Sequence, residues 1–151
     1  MTTISAEYIK EALKETFKGN LINNETDLIA YANDASIFEL VPSLVAKPND
    51  VEDIKTLVQF VAKHHSDDST LSITPRAAGT GMAGGALTES IVLSVENLKS
   101  IKELSEERAI VEPGLYYRDF EKASLEINRI MPSYPASKDL CAVGGMVGTN
   151  A

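Results

Sequence analysis

The sequence predicts an α+β domain, and three observations support this fold class. Apolar residues recur with helical spacing in several segments, short apolar runs rich in β-branched residues lie between them, and two glycine-rich segments, residues 73–85 and 141–151, interrupt the pattern. The 151 residues suffice for one domain with a buried core, and the 44% hydrophobic and 24% charged content is ordinary for a globular protein. We therefore expect small mixed sheets flanked by helices.

The predicted elements begin with alternating helices and strands and end with a helix and a glycine-rich loop. Their bounds are a helix from Ser5 to Gly19-Asn20, a helical piece at 28–32, a strand at 44–46, a helix from Asn49-Asp50 to His64-His65, strands at 71–74, 91–95, 101–104 and 109–112, a helix at 116–129, and a loop at 141–151. Asp50 and Asp53 stand at capping-box spacing ahead of an apolar face, which makes their helix the clearest. In the last helix, Phe120 and Leu125 are among the expected apolar contacts.

The histidine pair His64-His65 is weighed as a metal site. Adjacent residues on a helix point about 100° apart, and the sequence has only 2 histidines. Histidines in the last turn of a helix also complement the negative end of its dipole. We therefore expect no metal.

Charge and cysteine content exclude several classes of function. The formal net charge is -8, with 14 basic residues scattered among 22 acidic ones, whereas nucleic-acid binding requires clustered Lys and Arg. Cys141 is the only cysteine, which fits a reducing compartment. No signal-peptide pattern occurs, and no apolar run approaches the ~18 residues of a membrane span. We expect a cytoplasmic protein that contacts membranes peripherally at most.

Residues 73–85 place four glycines close behind Arg76. Glycine permits positive φ and has no Cβ, so such a loop can bring backbone N–H groups close to a phosphate or pyrophosphate. The residues from Gly79 to Gly84 also match the G-x-G-x-x-G fingerprint of the dinucleotide-binding Rossmann unit. In a Rossmann unit a helix follows directly after the glycines. Only residues 86–90 separate the loop from the next apolar run, so the loop joins two strands and we attribute the match to chance.

Two interpretations of the glycine-rich segments stay open from the residues alone. One is a turn at a sheet edge that binds nothing, because a single glycine-rich loop is a weak signal. The other is a ligand shared by both segments. A ligand long enough to touch both is a dinucleotide.

The motifs occur as a series along the chain. It consists of Pro-Arg-Ala-Ala-Gly-Thr-Gly-Met-Ala-Gly-Gly at 75–85, Ile-Val-Leu-Ser at 91–94, Val-Glu-Pro-Gly at 111–114, Pro-Ala-Ser at 135–137 and Val-Gly-Gly-Met-Val-Gly-Thr-Asn-Ala at 143–151. In order and spacing this series resembles the FAD-linked oxidase family, the vanillyl-alcohol oxidase and p-cresol methylhydroxylase type of flavoprotein, from about residue 31 to the C-terminus. Within that family the sequence is most similar to the D-lactate dehydrogenase and glycolate oxidase flavoprotein-subunit branch.

The resemblance implies an FAD-binding domain of two α+β subdomains, of which residues 1–151 are the N-terminal portion. We expect the rest of that domain and a substrate domain to be absent from this chain. The implied FAD contacts are Ala77, Ala78, Gly79, Thr80 and Gly81 at the phosphates, Pro135, Ala136 and Ser137 near the flavin ring, and Gly144, Gly145 and Thr149 as a second strip. Arg76 would offset flavin or phosphate charge, or form a salt bridge at the loop base. Ala77 and Ala78 stand where many relatives have glycine.

The resemblance also implies a flavin-dependent dehydrogenase that oxidises a 2-hydroxy acid such as D-lactate or glycolate, with hydride transfer to the flavin and then electron transfer to an acceptor. Two alternatives are a flavin or nucleotide-binding module without redox turnover, and a non-redox flavoenzyme of the same fold, of the ether-lipid synthase type. None of the 151 residues is a credible catalytic base. We expect this chain alone to be inactive.

We expect FAD to be bound without a covalent link, because residues 73–85 contain no histidine, and some members of the family attach the flavin through a histidine in this loop. Acid precipitation of the yellow, flavin-loaded protein checks this, with the colour expected in the supernatant. Colour that stays with the washed pellet would contradict the prediction. A sample that receives free FAD only after precipitation controls for trapped flavin.

Overall fold

A four-stranded mixed sheet and a two-stranded hairpin organise the residues that the computed structural model describes, 3–151. Along the chain the elements are α1 (Ala6–Leu13), β1 (Asn20–Ile22), α2 (Glu25–Ile29), β2 (Leu44–Lys47), α3 (Val51–His64), β3 (Ile73–Arg76), β4 (Ile91–Ser94), β5 (Ile101–Leu104), β6 (Ala109–Val111), α4 (Tyr117–Glu126) and α5 (Val143–Thr149). The predicted α+β class with small mixed sheets flanked by helices is confirmed.

The four-stranded sheet runs in the order β1-β2-β4-β3, with β1 antiparallel to β2 and the other two pairs parallel. Because parallel strands share a direction, β2, β4 and β3 all end at the same edge, which we call the carboxyl edge. The residues at that edge are Lys47, Ser94 and Arg76. Loops that leave it start close together in space.

Helices cover both faces of this sheet. On one face α1 and α3 pack against alternate strand residues, in a cluster that contains Ile9, Leu13, Leu57, Phe60, Leu44, Ala46, Ile91 and Leu93. On the other face Leu28 of α2 packs against Val45 and Val92. Successive strand residues point to opposite faces, so β2 and β4 contribute to both clusters. This explains why their sequences are continuously apolar.

The β5-β6 hairpin packs with α4 and α5 in a third cluster. Its buried members are Leu115, Tyr117, Phe120, Cys141 and Met146, with Leu104 and Val111 of the hairpin packed against them. Tyr116 and Ala142 form an antiparallel bridge, and the N–H of Tyr117 donates to the carbonyl of Cys141 at 3.1 Å. These bonds place the start of α5 beside the start of α4.

The largest difference from the sequence prediction concerns residues 141–151. They were expected to form a glycine-rich loop, but Val143–Thr149 is a helix, which ends at Asn150 with a φ of 53°. Glycine is a poor helix former, so local propensity opposes this helix. Packing favours it, because Gly144 lies against Pro113 and Gly145 against Ala77.

Two smaller differences concern the first and fourth helices. α1 ends at Leu13 and not at Gly19-Asn20, and Asn20 instead begins the unpredicted strand β1, which pairs with β2. In α4 the expected core residue Leu125 is 55% exposed, while Ser124 is buried. The apolar side chains alone thus misplaced the buried face of α4 by about one residue.

None of the helices in the described residues has the length and apolar character needed to cross a bilayer. Residues 3–151 also contain no group of three or more His, Cys, Asp and Glu side chains arranged to hold a metal ion. His64 instead packs on the ring of Phe60, with ring centroids 4.5 Å apart.

α3 begins as the capping pattern predicts. The carboxylate of Asp50 accepts a hydrogen bond from the N–H of Asp53 at 3.0 Å. Asp53 is fully buried, and its carboxylate accepts from the N–H of Lys18 at 2.7 Å and of Asn49 at 2.8 Å. This one carboxylate therefore ties the segment after α1 to the start of α3.

The variant Asp53→Ala is expected to lower the free energy of unfolding by about 3 kcal/mol or more, because the N–H groups of Lys18 and Asn49 lose a buried, charged acceptor in hydrogen bonds worth about 1.5–3 kcal/mol each. Urea denaturation measures this. Glu52→Ala is the control, since Glu52 is exposed and pairs with Lys55 on the surface, and its effect is expected below about 0.5 kcal/mol. Equal destabilisation by the two variants would contradict the role of Asp53.

Candidate functional site

The glycine loop, residues 77–85, leaves the carboxyl edge of the sheet after β3 and leads to β4 without a helix. The predicted strand-to-strand connection is confirmed, which excludes a Rossmann unit. Within the loop Gly79 has a φ of 67° and Gly84 a φ of 73°. Neither Ala77 nor Ala78 has a positive φ, so the backbone accommodates both methyl groups without strain.

The backbone N–H groups of the first part of the loop are unpaired. From Ala77 to Gly81 no N–H donates to an acceptor anywhere in residues 3–151. These residues are half-buried, and backbone donors in folded proteins otherwise nearly always have a partner. A run of such donors on a glycine-containing turn is the arrangement that binds the oxygens of phosphate groups.

The segment after α2 holds the far side of the glycine loop. The N–H of Ala35 donates to the carbonyl of Gly81 at 3.1 Å. The ring of Phe38 lies against Gly84 so closely that a Cβ on Gly84 would be 2.9 Å from a ring carbon. Within the loop, the N–H of Leu87 donates to the carbonyl of Gly84 at 3.1 Å. The loop is therefore anchored at its end while its early N–H groups stay available.

Arg76 lies beneath the start of the loop. Its Nη2 donates to the carbonyl of Asn33 at 2.7 Å and its Nη1 to the carbonyl of Tyr31 at 3.4 Å. A Cβ on Gly79 would collide with the guanidinium. No carboxylate in residues 3–151 forms a salt bridge with Arg76, so the expected alternative of a salt bridge at the loop base is wrong.

The ring of Tyr31 connects Arg76 to a polar cluster at the carboxyl edge. The Arg76 guanidinium lies 5.6 Å from the centroid of this ring, and the Tyr31 hydroxyl donates to Glu96 at 3.0 Å. Glu96 also accepts from Lys47 Nζ at 2.7 Å and from Ser94 Oγ at 3.0 Å. The cluster thus joins the ends of β2 and β4 to the residue that supports the loop.

Hydrogen bonding keeps the carboxylate of Glu96 in this cluster ionised. Burial alone would raise the pKa of Glu96, but the hydrogen bonds from Lys47, Tyr31 and Ser94 outweigh it and hold the pKa below its usual value. Burial raises the pKa of the Tyr31 phenol. At neutral pH Glu96 is therefore an ionised acceptor and Tyr31 a neutral donor.

The first turn of α5 lies beside the start of the glycine loop. A Cβ built on Gly145 would stand 3.9 Å from the Cβ of Ala77, so the structure brings the two predicted strips together. Gly144 faces away from the loop. Its N–H donates to the carbonyl of Pro113 at 2.8 Å, and an added Cβ would be 2.8 Å from the Cβ of Pro113.

Thr149, predicted to contact FAD as part of the second strip, uses its hydroxyl on its own helix. Its Oγ1 donates to the carbonyl of Gly145 at 2.9 Å. In this arrangement the oxygen of the hydroxyl can accept a hydrogen bond from a ligand, but its proton is already used.

Pro135, Ala136 and Ser137 form a turn just before α5, and α4 holds the segment around it. The carbonyl of Ser137 accepts from the N–H of Cys141 at 2.8 Å. Lys138 pairs with Glu121 of α4 at 3.0 Å, and the hydroxyl of Tyr117 donates to the carbonyl of Met131 at 2.9 Å. An irregular segment is thus fixed by the side chains of one regular helix.

Sequence reasoning missed the part of the site that supports the loop. Tyr31 was placed in the predicted helical piece at 28–32, Asn33, Ala35 and Phe38 were assigned to a loop or left unassigned, and Glu96 was not considered. These residues hold the loop through backbone carbonyls, one backbone N–H and ring contacts, and none of these leaves a sequence pattern. The only signal was that the family resemblance begins near residue 31.

The sequence profile of the FAD binding domain family matches residues 42–151. The chain belongs to the FAD binding domain family. The resemblance seen in the sequence is thereby confirmed, and FAD is the cofactor of this domain. Whether the flavin is bound without a covalent link stays a prediction.

The chain is similar to two kinds of curated enzyme. It is 24% identical over 147 residues to D-2-hydroxyglutarate dehydrogenase of Escherichia coli K12, covering 95% of this chain and 14% of the relative. It is 27% identical over 146 residues to glycolate oxidase subunit GlcD of the same strain, covering 93% of this chain and 28% of the relative. The chain therefore spans less than a third of the curated relatives that it matches.

Solved structures show the same fold at low sequence identity. Alkyldihydroxyacetonephosphate synthase superposes with a TM-score of 0.82 at 18% identity, covering 99% of this chain and 32% of that one. p-Cresol methylhydroxylase superposes with a TM-score of 0.71 at 17% identity, covering 94% and 28%. The structure thus confirms the expected fold, that of the N-terminal part of a p-cresol methylhydroxylase-type FAD-binding domain.

The residues present fit a pyrophosphate-containing cofactor. The loop offers consecutive unpaired N–H groups, and it carries no acidic side chain that would repel phosphate. Gly145 has no side chain where α5 meets the loop, so the backbone there is open to a ligand. The N–H groups of the glycine loop would hold the phosphates, with α5 as the neighbouring wall.

Substitution by alanine should lower the stability of the protein at Gly144 but not at Gly145, its neighbour in α5. Gly144→Ala places a Cβ 2.8 Å from the Cβ and 2.9 Å from the carbonyl oxygen of Pro113, so we expect a loss of about 1–3 kcal/mol in the free energy of unfolding. Gly145→Ala makes only an ordinary contact at 3.9 Å and should change stability by less than about 0.5 kcal/mol, or slightly raise it, because alanine favours helix. Thermal denaturation followed by circular dichroism measures both. Equal losses would mean that α5 does not pack on Pro113 as described.

Proposed function

We propose that this chain supplies the pyrophosphate-binding part of the FAD site in a flavin-dependent dehydrogenase that oxidises a 2-hydroxy acid. D-Lactate, glycolate and D-2-hydroxyglutarate are the substrates to test. The observation that carries the proposal is the run of unpaired N–H groups from Ala77 to Gly81 at the carboxyl edge of the sheet. The similarity to a D-2-hydroxyglutarate dehydrogenase and a glycolate oxidase subunit supports the substrate class.

The residues of this chain bind and orient the cofactor. Backbone donors of the glycine loop neutralise part of the pyrophosphate charge without side chains, so they add no flexible groups to the site. The first turn of α5 and the turn at Ser137 form the wall toward the flavin. When bound, FAD supplies the hydride acceptor for the Cα–H of the substrate. No residue of this chain is proposed as the catalytic base or as a substrate contact.

A second candidate is a flavoenzyme of the same fold without net oxidation, of the ether-lipid synthase type. The structural similarity to alkyldihydroxyacetonephosphate synthase, with a TM-score of 0.82, is the observation that supports this second candidate. A third is a flavin-binding module without redox turnover. All three require the same loop and the same cofactor, so they differ only in what reduces the flavin. We further propose that the whole protein passes electrons to an acceptor, resides in the cytoplasm, and contacts membranes peripherally at most.

The test is anaerobic reduction of the flavin in the full-length polypeptide that carries this chain, purified with excess FAD. D-Lactate, glycolate and D-2-hydroxyglutarate are added separately, and bleaching of the visible flavin band by at least one is the expected result. Bound flavin that none of them reduces would favour the second or third candidate. A folded protein that retains no flavin would overturn the proposal.

One variant of the loop tests FAD binding, and a second variant of the same loop is its matched control. Gly79→Ala must adopt a φ of 67° and collides with Arg76, so FAD affinity should fall about five- to thirtyfold, given the roughly 1–2 kcal/mol cost of left-handed backbone in alanine. Gly85→Ala meets nothing within 4 Å and should bind FAD about as well as the unchanged chain. Flavin fluorescence during titration reports both affinities.

A further inference from the structure

The support of the glycine loop can be traced through three side chains. Arg76 is fixed by two main-chain carbonyls, those of Tyr31 and Asn33, and by the ring of Tyr31. Its guanidinium occupies the space that a Cβ of Gly79 would take. Arg76 therefore contacts the loop on its protein side, with Nη2 already used on the carbonyl of Asn33 at 2.7 Å.

Tyr31 in turn is fixed from the sheet. Its hydroxyl donates to Glu96 at 3.0 Å, and Lys47 Nζ lies 5.3 Å from the centroid of its ring. Two cations, Lys47 and Arg76, thus lie near one aromatic ring, an arrangement in which the ring attracts both. Glu96 offsets their charge and is itself held by Lys47 and Ser94.

We propose that Glu96, Tyr31 and Arg76 form a positioning network that fixes the glycine loop in its donor-presenting shape, with Arg76 acting on Gly79 rather than on the cofactor. The purpose assigned to that shape rests on the proposed function. The network links the loop to residues at the ends of β2 and β4, so the position of the loop is set by the sheet. Two-point attachment of a planar guanidinium also restricts its rotation, which a lysine cannot reproduce.

The test is backbone order in the 151-residue chain without any ligand, measured by ¹⁵N relaxation at Gly79, Thr80 and Gly81. In the unchanged chain we expect order parameters near the rigid value of about 0.85. Arg76→Lys should lower them to about 0.6 or below. Tyr31→Phe and Glu96→Met should lower them in the same direction but by less.

Coupling between the two outer residues distinguishes a network from general loosening. Tyr31→Phe and Glu96→Met remove opposite ends of one hydrogen bond, so the double variant should lower loop order no further than the larger single effect. Glu96→Gln keeps an acceptor for the tyrosine hydroxyl and should restore most of the order. Glu103→Met is the matched control, because Glu103 pairs with Arg108 at 2.7 Å on the β5-β6 hairpin, with a side-chain exposure of 37% against 45% for Glu96.

Several outcomes would overturn the network. They are a loop already mobile in the unchanged chain, additive effects of Tyr31→Phe and Glu96→Met, no rescue by Glu96→Gln, or an equal loss with Glu103→Met. Tyr31→Phe deletes only one hydroxyl, so it keeps the test valid if Arg76→Lys does not fold. Because no cofactor is present, these results are independent of whether FAD binds.

Discussion

Parallel pairing of β3 with β4 is the constraint on which the rest of the structure depends. The chain must return from the carboxyl edge to the start of the neighbouring strand, a path that most proteins fill with a helix. Here residues 77–90 make the return without one, so the backbone polar groups of the loop have no helix in which to pair. The unpaired donors from Ala77 to Gly81 are a direct consequence of this topology. A ligand with many acceptors is the natural partner of such a segment.

The first part of this loop, from Ala77 to Gly81, donates no hydrogen bond within the loop and needs external support to keep one shape. The support comes from the segment after α2, through Ala35 and Phe38, and from Arg76 beneath Gly79. The two positive-φ glycines lie where Arg76 and Phe38 leave no room for a side chain. Their role is therefore double, since each permits a left-handed turn and also leaves room for the group that holds the turn.

The sequence predicted the elements whose physical cause is local. Asp50 and Asp53 mark the start of α3 by a local cap, and the short apolar runs at 44–46 and 91–95 mark β2 and β4 by their composition. It failed for α5, where poor helix formers are held by Pro113 and Ala77, and for β1, which exists through pairing with β2. The ligand strips were indicated by motif resemblance, but their support by Tyr31, Asn33 and Glu96 was not. Those contacts join residues 43 to 65 positions apart, and no local pattern records them.

The proposed recognition through backbone donors would also account for a fold that persists while the sequence diverges. An N–H group is the same in every residue, so the loop needs small residues and correct φ angles rather than particular side chains. Ala77 and Ala78 illustrate this, since they replace glycine without requiring a positive φ. A TM-score of 0.82 at 18% identity is what such a site allows. Under the proposed function, this part of the molecule carries little information about the substrate, because the loop is directed at the phosphates of the cofactor.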